Sequence, residues 1–176
     1  MRAIITRADD FNPRDNDNLG VMVCFHKRYR LGDSHDYSVN EFNSWDDLRS
    51  RLEKDYPGGV ILNLYLYDHG GITISTEPFS CPWDSGQVGF IVASAAMIRE
   101  NFGVKRVTRS VRERATRLLL AEVKEYDAYL RGDVYMLTLT KEGEQDDILG
   151  PFYGADFATN GLLDSVPEGY VVEYPD

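Results

Sequence analysis

The chain is poor in the features that mark secreted and membrane proteins. It has only two cysteines in 176 residues, Cys24 and Cys81, and no recognisable signal peptide. Thiols stay reduced in the cytosol, so we expect a cytoplasmic protein without a disulfide bond. The longest apolar run, near residues 59–66, is interrupted by Asn63 and falls short of the ~20 residues that a membrane helix needs. We therefore expect no membrane partner.

A glycine-rich phosphate-binding loop is also missing. The pairs Gly58-Gly59 and Gly70-Gly71 stand alone, with no lysine after them and no helix predicted to begin there. Both features are needed in the loop that cradles nucleoside triphosphates, because its backbone amides and its lysine hold the phosphates. The sequence therefore disfavours nucleoside triphosphate binding, and we expect no cofactor.

The composition that is present is that of an ordinary globular protein. Hydrophobic residues make up 43% of the chain and charged residues 27%, which are typical values, and this length fits one domain. Because no repeat or linker divides the chain, the sequence predicts a single domain over 1–176. Within it we expect a polar loop over 8–20 and an acidic C-terminal region over 141–176.

The order of the predicted elements favours the α+β class. Strands are predicted to pair as a hairpin around Asp68–Gly71, and helices are interspersed irregularly among the strands, which argues for an antiparallel or mixed sheet with two or three helices packed on it. Strands are predicted over 21–26, 60–67, 72–76, 87–92, 134–140, 148–153 and 170–174, and helices over 38–56, 94–102 and 108–130. In the longest helix, Glu122 interrupts the apolar stripe.

Charge is unevenly distributed along this acidic chain, whose net charge is −10. The stretch 141–176 holds one basic residue and nine acidic ones, whereas 99–117 holds seven basic and two acidic residues. An acidic surface disfavours non-specific nucleic-acid binding and steers a basic partner towards it. The residues expected to bind such a partner are Glu142, Glu144, Asp146 and Asp147.

The basic stretch offers a weaker alternative, phosphate recognition by Arg106, Arg109 and Arg112. A charged helix face is usually only solvated, and no aromatic residue lies between these arginines to stack on a base. Direct nucleic-acid binding is therefore not expected.

A dense group of reactive side chains suggests a small Cys/His hydrolase as an alternative function. Its candidate catalytic residues are Asp68, His69, Cys81 and Asp84. In the predicted hairpin, the second strand carries the chain about 17 Å away from His69, so contact with Cys81 requires the following loop to fold back. Otherwise the loop is a rigid turn, in which Pro82 and Gly86 set the backbone.

A metal-assisted form of this hydrolase is the other possibility. Its residues are Asp33, His35, Asp68, His69 and Cys81, and a bound metal would be held by His26, Asp33, His35 and His69. Alternation along a strand also puts Cys24 and His26 on one face. No spacing matches a zinc knuckle or a metalloprotease helix, so we expect no metal.

Five segments carry a resemblance to a known family. They are Asp17–His26 (DNLGVMVCFH), Leu31–Asp33 (LGD), Leu66–His69 (LYDH), Phe79–Phe90 (FSCPWDSGQVGF) and Tyr126–Tyr135 (YDAYLRGDVY). Over about 12–161 the chain resembles a family of small acidic proteins encoded by bacteriophages and other mobile elements. That family has no assigned catalytic residues, so the resemblance transfers no role to a position. It implies a context in which such proteins act on host machinery, including as inhibitors of restriction or CRISPR systems.

Charge and resemblance together predict an interaction protein rather than an enzyme. It would bind and inhibit a host nucleic-acid-handling or defence enzyme, as anti-restriction and anti-CRISPR proteins do, through its acidic surface. The expected partner is a host protein or nucleoprotein complex in the host cytoplasm, because the nucleic-acid channels of such enzymes are basic.

Overall fold

A computed structural model describes residues 1–175 and confirms the α+β class. Asp176, which was counted among the acidic residues of 141–176, lies outside the described residues. These residues form three α-helices, three short 3-10 turns and eight strands in two four-stranded sheets. The strands are β1 (Arg2–Arg7), β2 (Val21–Cys24), β3 (Val60–Asp68), β4 (Ile72–Ser75), β5 (Ser85–Ala93), β6 (Val134–Thr140), β7 (Asp147–Tyr153) and β8 (Val171–Glu173). The helices are α1 (Trp45–Asp55), α2 (Ala95–Phe102) and α3 (Arg109–Leu130). In the part of the chain so described, no helix is long and apolar enough to cross a membrane.

Residue contacts group the chain into two compact units. The first unit is Met1–Asp15 together with the chain from Glu125 onward, and the second is Asn16–Lys124. No shift in composition marks either boundary in the sequence, and the prediction of one continuous domain stays a prediction.

The first unit contains a mixed sheet in the order β7-β6-β1-β8. Strand β1 runs antiparallel to β6 and parallel to β8. Ala3 and Ile5 alternate inward along β1 and form a core with β6 and the buried Leu162. The sequence did not predict β1, because its apolar run is short and charged residues follow it within ten positions.

The second unit contains an antiparallel sheet in the order β2-β5-β3-β4. Phe90 and Val92 of β5 pack with Leu48 and Leu52 of α1. Ile91 lies between them in β5 and so points to the opposite face. A Cβ atom on Gly20 would lie 2.7 Å from Ile91 and 2.5 Å from Leu119 of α3. The sheet is therefore covered by α1 on one face and by α3 on the other.

Helix α1 begins later than the sequence predicts. The capping pair of Ser38 and Glu41 is present, with the Glu41 carboxylate accepting from the Ser38 amide at 3.1 Å, but it caps only the 3-10 turn Val39–Glu41. Ser44 then adopts an extended backbone and its hydroxyl accepts from the Asp47 amide at 3.2 Å. A second N-cap ends any continuous helix, so the predicted helix is wrong over 38–44.

Glu122 is a buried carboxylate that anchors the end of the polar 8–20 segment. Its side chain is only 6% exposed. One oxygen accepts from the Leu19 amide at 2.8 Å, and the other accepts from the Gly20 amide at 3.1 Å. The acid that interrupts the apolar stripe of α3 is thus the acceptor for two backbone amides just before β2, and buried amides need such partners.

Replacing Glu122 with alanine should lower the free energy of unfolding by about 1–3 kcal/mol for each amide left unpaired. Glu113→Ala removes an exposed glutamate from the same helix and should change stability by less than about 0.5 kcal/mol. Urea denaturation of both variants makes the comparison. Equal losses would show that Glu122 does not hold this segment.

Candidate functional site

The loop before β5 folds back towards the β3–β4 hairpin. Strand β3 pairs with β4 along one edge and with β5 along the other, so residues 76–84 cross from one edge of β3 to the other. Ser85 then lies opposite Tyr67, and the Asp84 carbonyl accepts from the Asp68 amide at 2.8 Å. The fold-back that contact between His69 and Cys81 required is therefore present.

The folded-back loop brings three reactive side chains together around Asp84. His69 Nδ1 lies 3.0 Å from Asp84 Oδ2, and the Cys81 thiol donates to the same oxygen over 3.8 Å. A cysteine nucleophile needs a base in contact with its thiol. Among the described residues no imidazole contacts the Cys81 sulfur, and both partners turn to Asp84 instead. The arrangement suits a fixed turn, which Ser85 reinforces by donating its hydroxyl to the Cys81 carbonyl.

The other candidate metal ligands are already bonded elsewhere and do not converge. Asp33 Oδ2 accepts from the Met22 amide at 2.7 Å, and His35 Nε2 lies 3.1 Å from the Cys24 carbonyl oxygen. His26 Nδ1 accepts from two backbone amides at 3.3 Å, while Asp68 pairs with Arg28. Within residues 1–175, no three His, Cys, Asp or Glu side chains are placed to hold a metal ion.

One of the arginines in the basic stretch 99–117 already donates hydrogen bonds within the second unit. The Arg112 guanidinium donates to the carbonyl oxygens of Gly58 and Gly59. Arg109, with its side chain 94% exposed, pairs with Glu113 one turn along α3, and Arg106 is exposed. The three arginines predicted to bind phosphate therefore have different surroundings, and one of them is fixed on backbone.

The predicted acidic partner site forms a surface that we call the acidic hairpin, residues Lys141–Gly150. All of these residues are exposed. Glu144 pairs with Lys141, whereas Glu142, Asp146 and Asp147 form no ion pair with any described residue. In the same segment the apolar side chains of Ile148 and Leu149 are 65% and 37% exposed, and β7 is an edge strand.

A large pocket of the second unit was not predicted from the sequence. We call it the β2-loop pocket; its volume is about 1000 Å³ and it is lined by residues 24–35 with Val39, Trp45, Gln87 and Val88. A signal for it is present in Lys27-Arg28-Tyr29-Arg30, a basic run interleaved with an aromatic residue in a chain of net charge −10. The more strongly basic stretch 99–117 drew the prediction of a phosphate site away from this run.

No protein-family model, curated protein or solved structure matches this chain. The resemblance to phage-encoded proteins therefore stays a prediction.

A tyrosine beside the β2-loop pocket belongs to a hydrogen-bonded network. The Tyr37 hydroxyl donates to Asp55 Oδ2 at 2.8 Å, and Arg51 Nε donates to the same oxygen at 2.7 Å. Burial, and then the bond to Asp55, raise the pKa of Tyr37 well above its usual range. The bonds from Arg51 and Tyr37 hold the pKa of Asp55 below its ordinary value.

The raised pKa of Tyr37 predicts a loss of stability at alkaline pH. The unfolded chain releases the Tyr37 proton near its ordinary pKa of about 10, whereas the folded chain retains it. The stabilisation is therefore complete below about pH 10 and is lost as pH rises through the folded pKa. Urea denaturation from about pH 9 to about pH 11 should show a smaller fall for Tyr37→Phe than for the wild type. Identical pH dependence would contradict this assignment.

The two thiols should differ in reactivity. Cys24 is buried and Cys81 is partly exposed, and neither forms a disulfide bond. A thiol reagent must reach the sulfur, so native protein should be labelled at Cys81 first and at Cys24 only after unfolding. Mass spectrometry of briefly alkylated protein locates the label. Rapid labelling of Cys24 in the native state would contradict the burial.

Proposed function

We propose that this chain is an interaction protein that inserts its acidic hairpin into the basic nucleic-acid channel of a host defence or nucleic-acid-handling enzyme and blocks it. The observation that carries the proposal is the run of exposed residues 141–150, in which three carboxylates have no ion-pair partner among the described residues. Phage encoding and the class of the target follow from the resemblance and form part of the proposal.

Charge supplies both attraction and competition in this arrangement. Exposed carboxylates close together in sequence repel one another, so cations of a partner relieve that repulsion. Charge complementarity raises the rate of encounter and selects basic partners over acidic ones. Once in place, Glu142, Asp146 and Asp147 would occupy positions that phosphates take in a nucleic-acid channel.

The edge strand β7 offers main-chain and apolar contacts in addition to the attraction between charges. Its outer edge pairs with no strand in the described part of the chain, and an extended segment of a partner can add to such an edge through main-chain hydrogen bonds. Ile148 and Leu149 offer apolar area beside it. The acidic residues at the start of the strand favour a partner segment that carries lysine or arginine.

The hydrolase alternative receives less support from the geometry. His69 and Cys81 share the Asp84 carboxylate rather than contacting each other, and the proposed metal ligands do not converge. The acidic hairpin, in contrast, needs no rearrangement to reach a partner.

Replacing the carboxylates of the acidic hairpin with neutral amides should abolish the electrostatic steering of a basic partner towards it. The variant combines Glu142→Gln, Glu144→Gln, Asp146→Asn and Asp147→Asn. Against a panel of purified restriction and CRISPR effector complexes, binding of the wild type should weaken between about 50 mM and about 300 mM salt, since screening shortens the reach of charge. The variant should associate at least about tenfold more slowly at low salt, and DNA should compete with the wild type.

A control variant with the same change in net charge tests whether the slower association comes from the acidic hairpin or from the charge of the whole chain. It combines Asp10→Asn, Asp46→Asn, Glu77→Gln and Glu100→Gln, all exposed positions outside the acidic hairpin, and should associate like the wild type. Alanine at His69 or Cys81 should also leave inhibition intact. The proposal fails if no effector binds at low salt, if both four-residue variants slow association equally, or if His69→Ala abolishes inhibition in a folded protein.

A further inference from the structure

The β2-loop pocket has the size and the lining of a small-molecule site. Its volume of about 1000 Å³ lies at the upper end of the range for such sites. It is lined by Cys24 at the end of β2, by the loop 25–35, and by Gln87 and Val88 of β5. None of these residues belongs to the acidic hairpin, so the site is independent of the proposed partner surface.

Two cations at this pocket have no counter-charge. Lys27 and Arg30 are exposed and line the pocket, and neither forms an ion pair or a side-chain hydrogen bond with a described residue. Arg28 between them differs, because it pairs with Asp68. Two unneutralised cations on the lining of one pocket, in a chain of net charge −10, suit a ligand that carries about two negative charges, as a phosphate monoester does near neutral pH.

Planar and apolar side chains lie beside these cations. Phe25, Tyr29 and Trp45 line the same pocket together with Val39. The Tyr29 ring stacks on His26, with centroids 4.9 Å apart and planes 11° from parallel, so it is held in a fixed orientation. Aromatic faces beside cations favour a planar ring joined to an anionic group.

His35 is fixed in the lining of the pocket and leaves recognition to other side chains. Its Nε2 lies 3.1 Å from the Cys24 carbonyl oxygen, so that nitrogen carries the hydrogen. Its Nδ1 is enclosed, out of reach of a ligand in the open pocket, and has no hydrogen-bond partner among the described residues. The choice of a base over an aliphatic chain therefore depends on the aromatic rings and the two cations.

We propose that the β2-loop pocket binds a nucleoside monophosphate, with the phosphate on Lys27 and Arg30 and the base against Phe25 and Trp45. This mode uses side chains on a loop, and it is therefore distinct from the glycine-rich triphosphate loop that the sequence lacks.

Trp45 provides a direct readout of binding. The chain has two tryptophans; the second, Trp83, is 91% exposed, so Trp83→Phe leaves Trp45 as the sole fluorescent reporter. In this background AMP, GMP, CMP and UMP are titrated separately, with adenosine, inorganic phosphate and decanoate as comparison ligands. At least one monophosphate should change the Trp45 emission saturably. Its nucleoside and inorganic phosphate should each bind at least about tenfold more weakly, because each keeps half of the contacts.

A charge-matched pair of variants tests the two cations. Lys27→Gln with Arg30→Gln should weaken nucleotide binding at least about tenfold, since charge-assisted hydrogen bonds are lost, and should leave nucleoside binding unchanged. Arg117→Gln with Lys124→Gln makes the same charge change at exposed positions of α3 and should bind like the parent.

Four results would overturn the proposal. The first is no change in emission with any monophosphate at millimolar concentration, and the second is equal binding by the two double variants. The third is binding of inorganic phosphate or decanoate as tightly as the best monophosphate. The fourth is binding of single-stranded oligonucleotides alone. Circular dichroism of each variant confirms that it is folded.

Discussion

Strand β5 holds the second unit together, because it pairs along both of its edges. It hydrogen-bonds to β2 on one side and to β3 on the other, and its residues from Val88 to Ala93 are buried. The close approach to β2 requires glycine at position 89, where a Cβ atom would lie 1.9 Å from the Val23 carbonyl oxygen. This register fixes where β2 ends and so where the pocket loop begins. At the same end of β5, Ser85 pairs with Tyr67, which fixes Asp84 beside the β3–β4 hairpin.

The two proposed binding surfaces use charge in opposite ways. The acidic hairpin presents carboxylates that lack partners, on a strand edge and with apolar side chains beside them. The β2-loop pocket presents lysine and arginine without partners, against aromatic rings. In both places the informative feature is unpaired charge together with a second feature, a strand edge or a pocket. Arg49 and Arg51 of α1, in contrast, are neutralised one turn along the helix by Glu53 and Asp55.

Local sequence patterns predicted the elements well and their long-range partners poorly. The Ser94 cap and the left-handed Gly103 bound α2 where expected, and alternation located β6 at Val134–Thr140. The order β4-β3-β5 depends on pairing between distant residues, so spacing alone left undecided whether the loop that carries Cys81 folds back towards His69. The role of Glu122 was equally hidden, because its partners lie about a hundred positions earlier. The pocket arises from a loop that folds back on β2, which no local pattern encodes.

That loop also alters the outer edge of β2. Gly32 adopts a left-handed backbone, with φ of 70°, which turns the chain back along the strand. The Asp33 amide then donates to the Met22 carbonyl oxygen at 2.9 Å, while the Asp33 carboxylate accepts from the Met22 amide. Both backbone groups of Met22 are thereby occupied. Met22 therefore offers no free donor or acceptor to another chain, so Asp33 protects the β2 edge of this sheet from edge-to-edge pairing while it shapes the pocket.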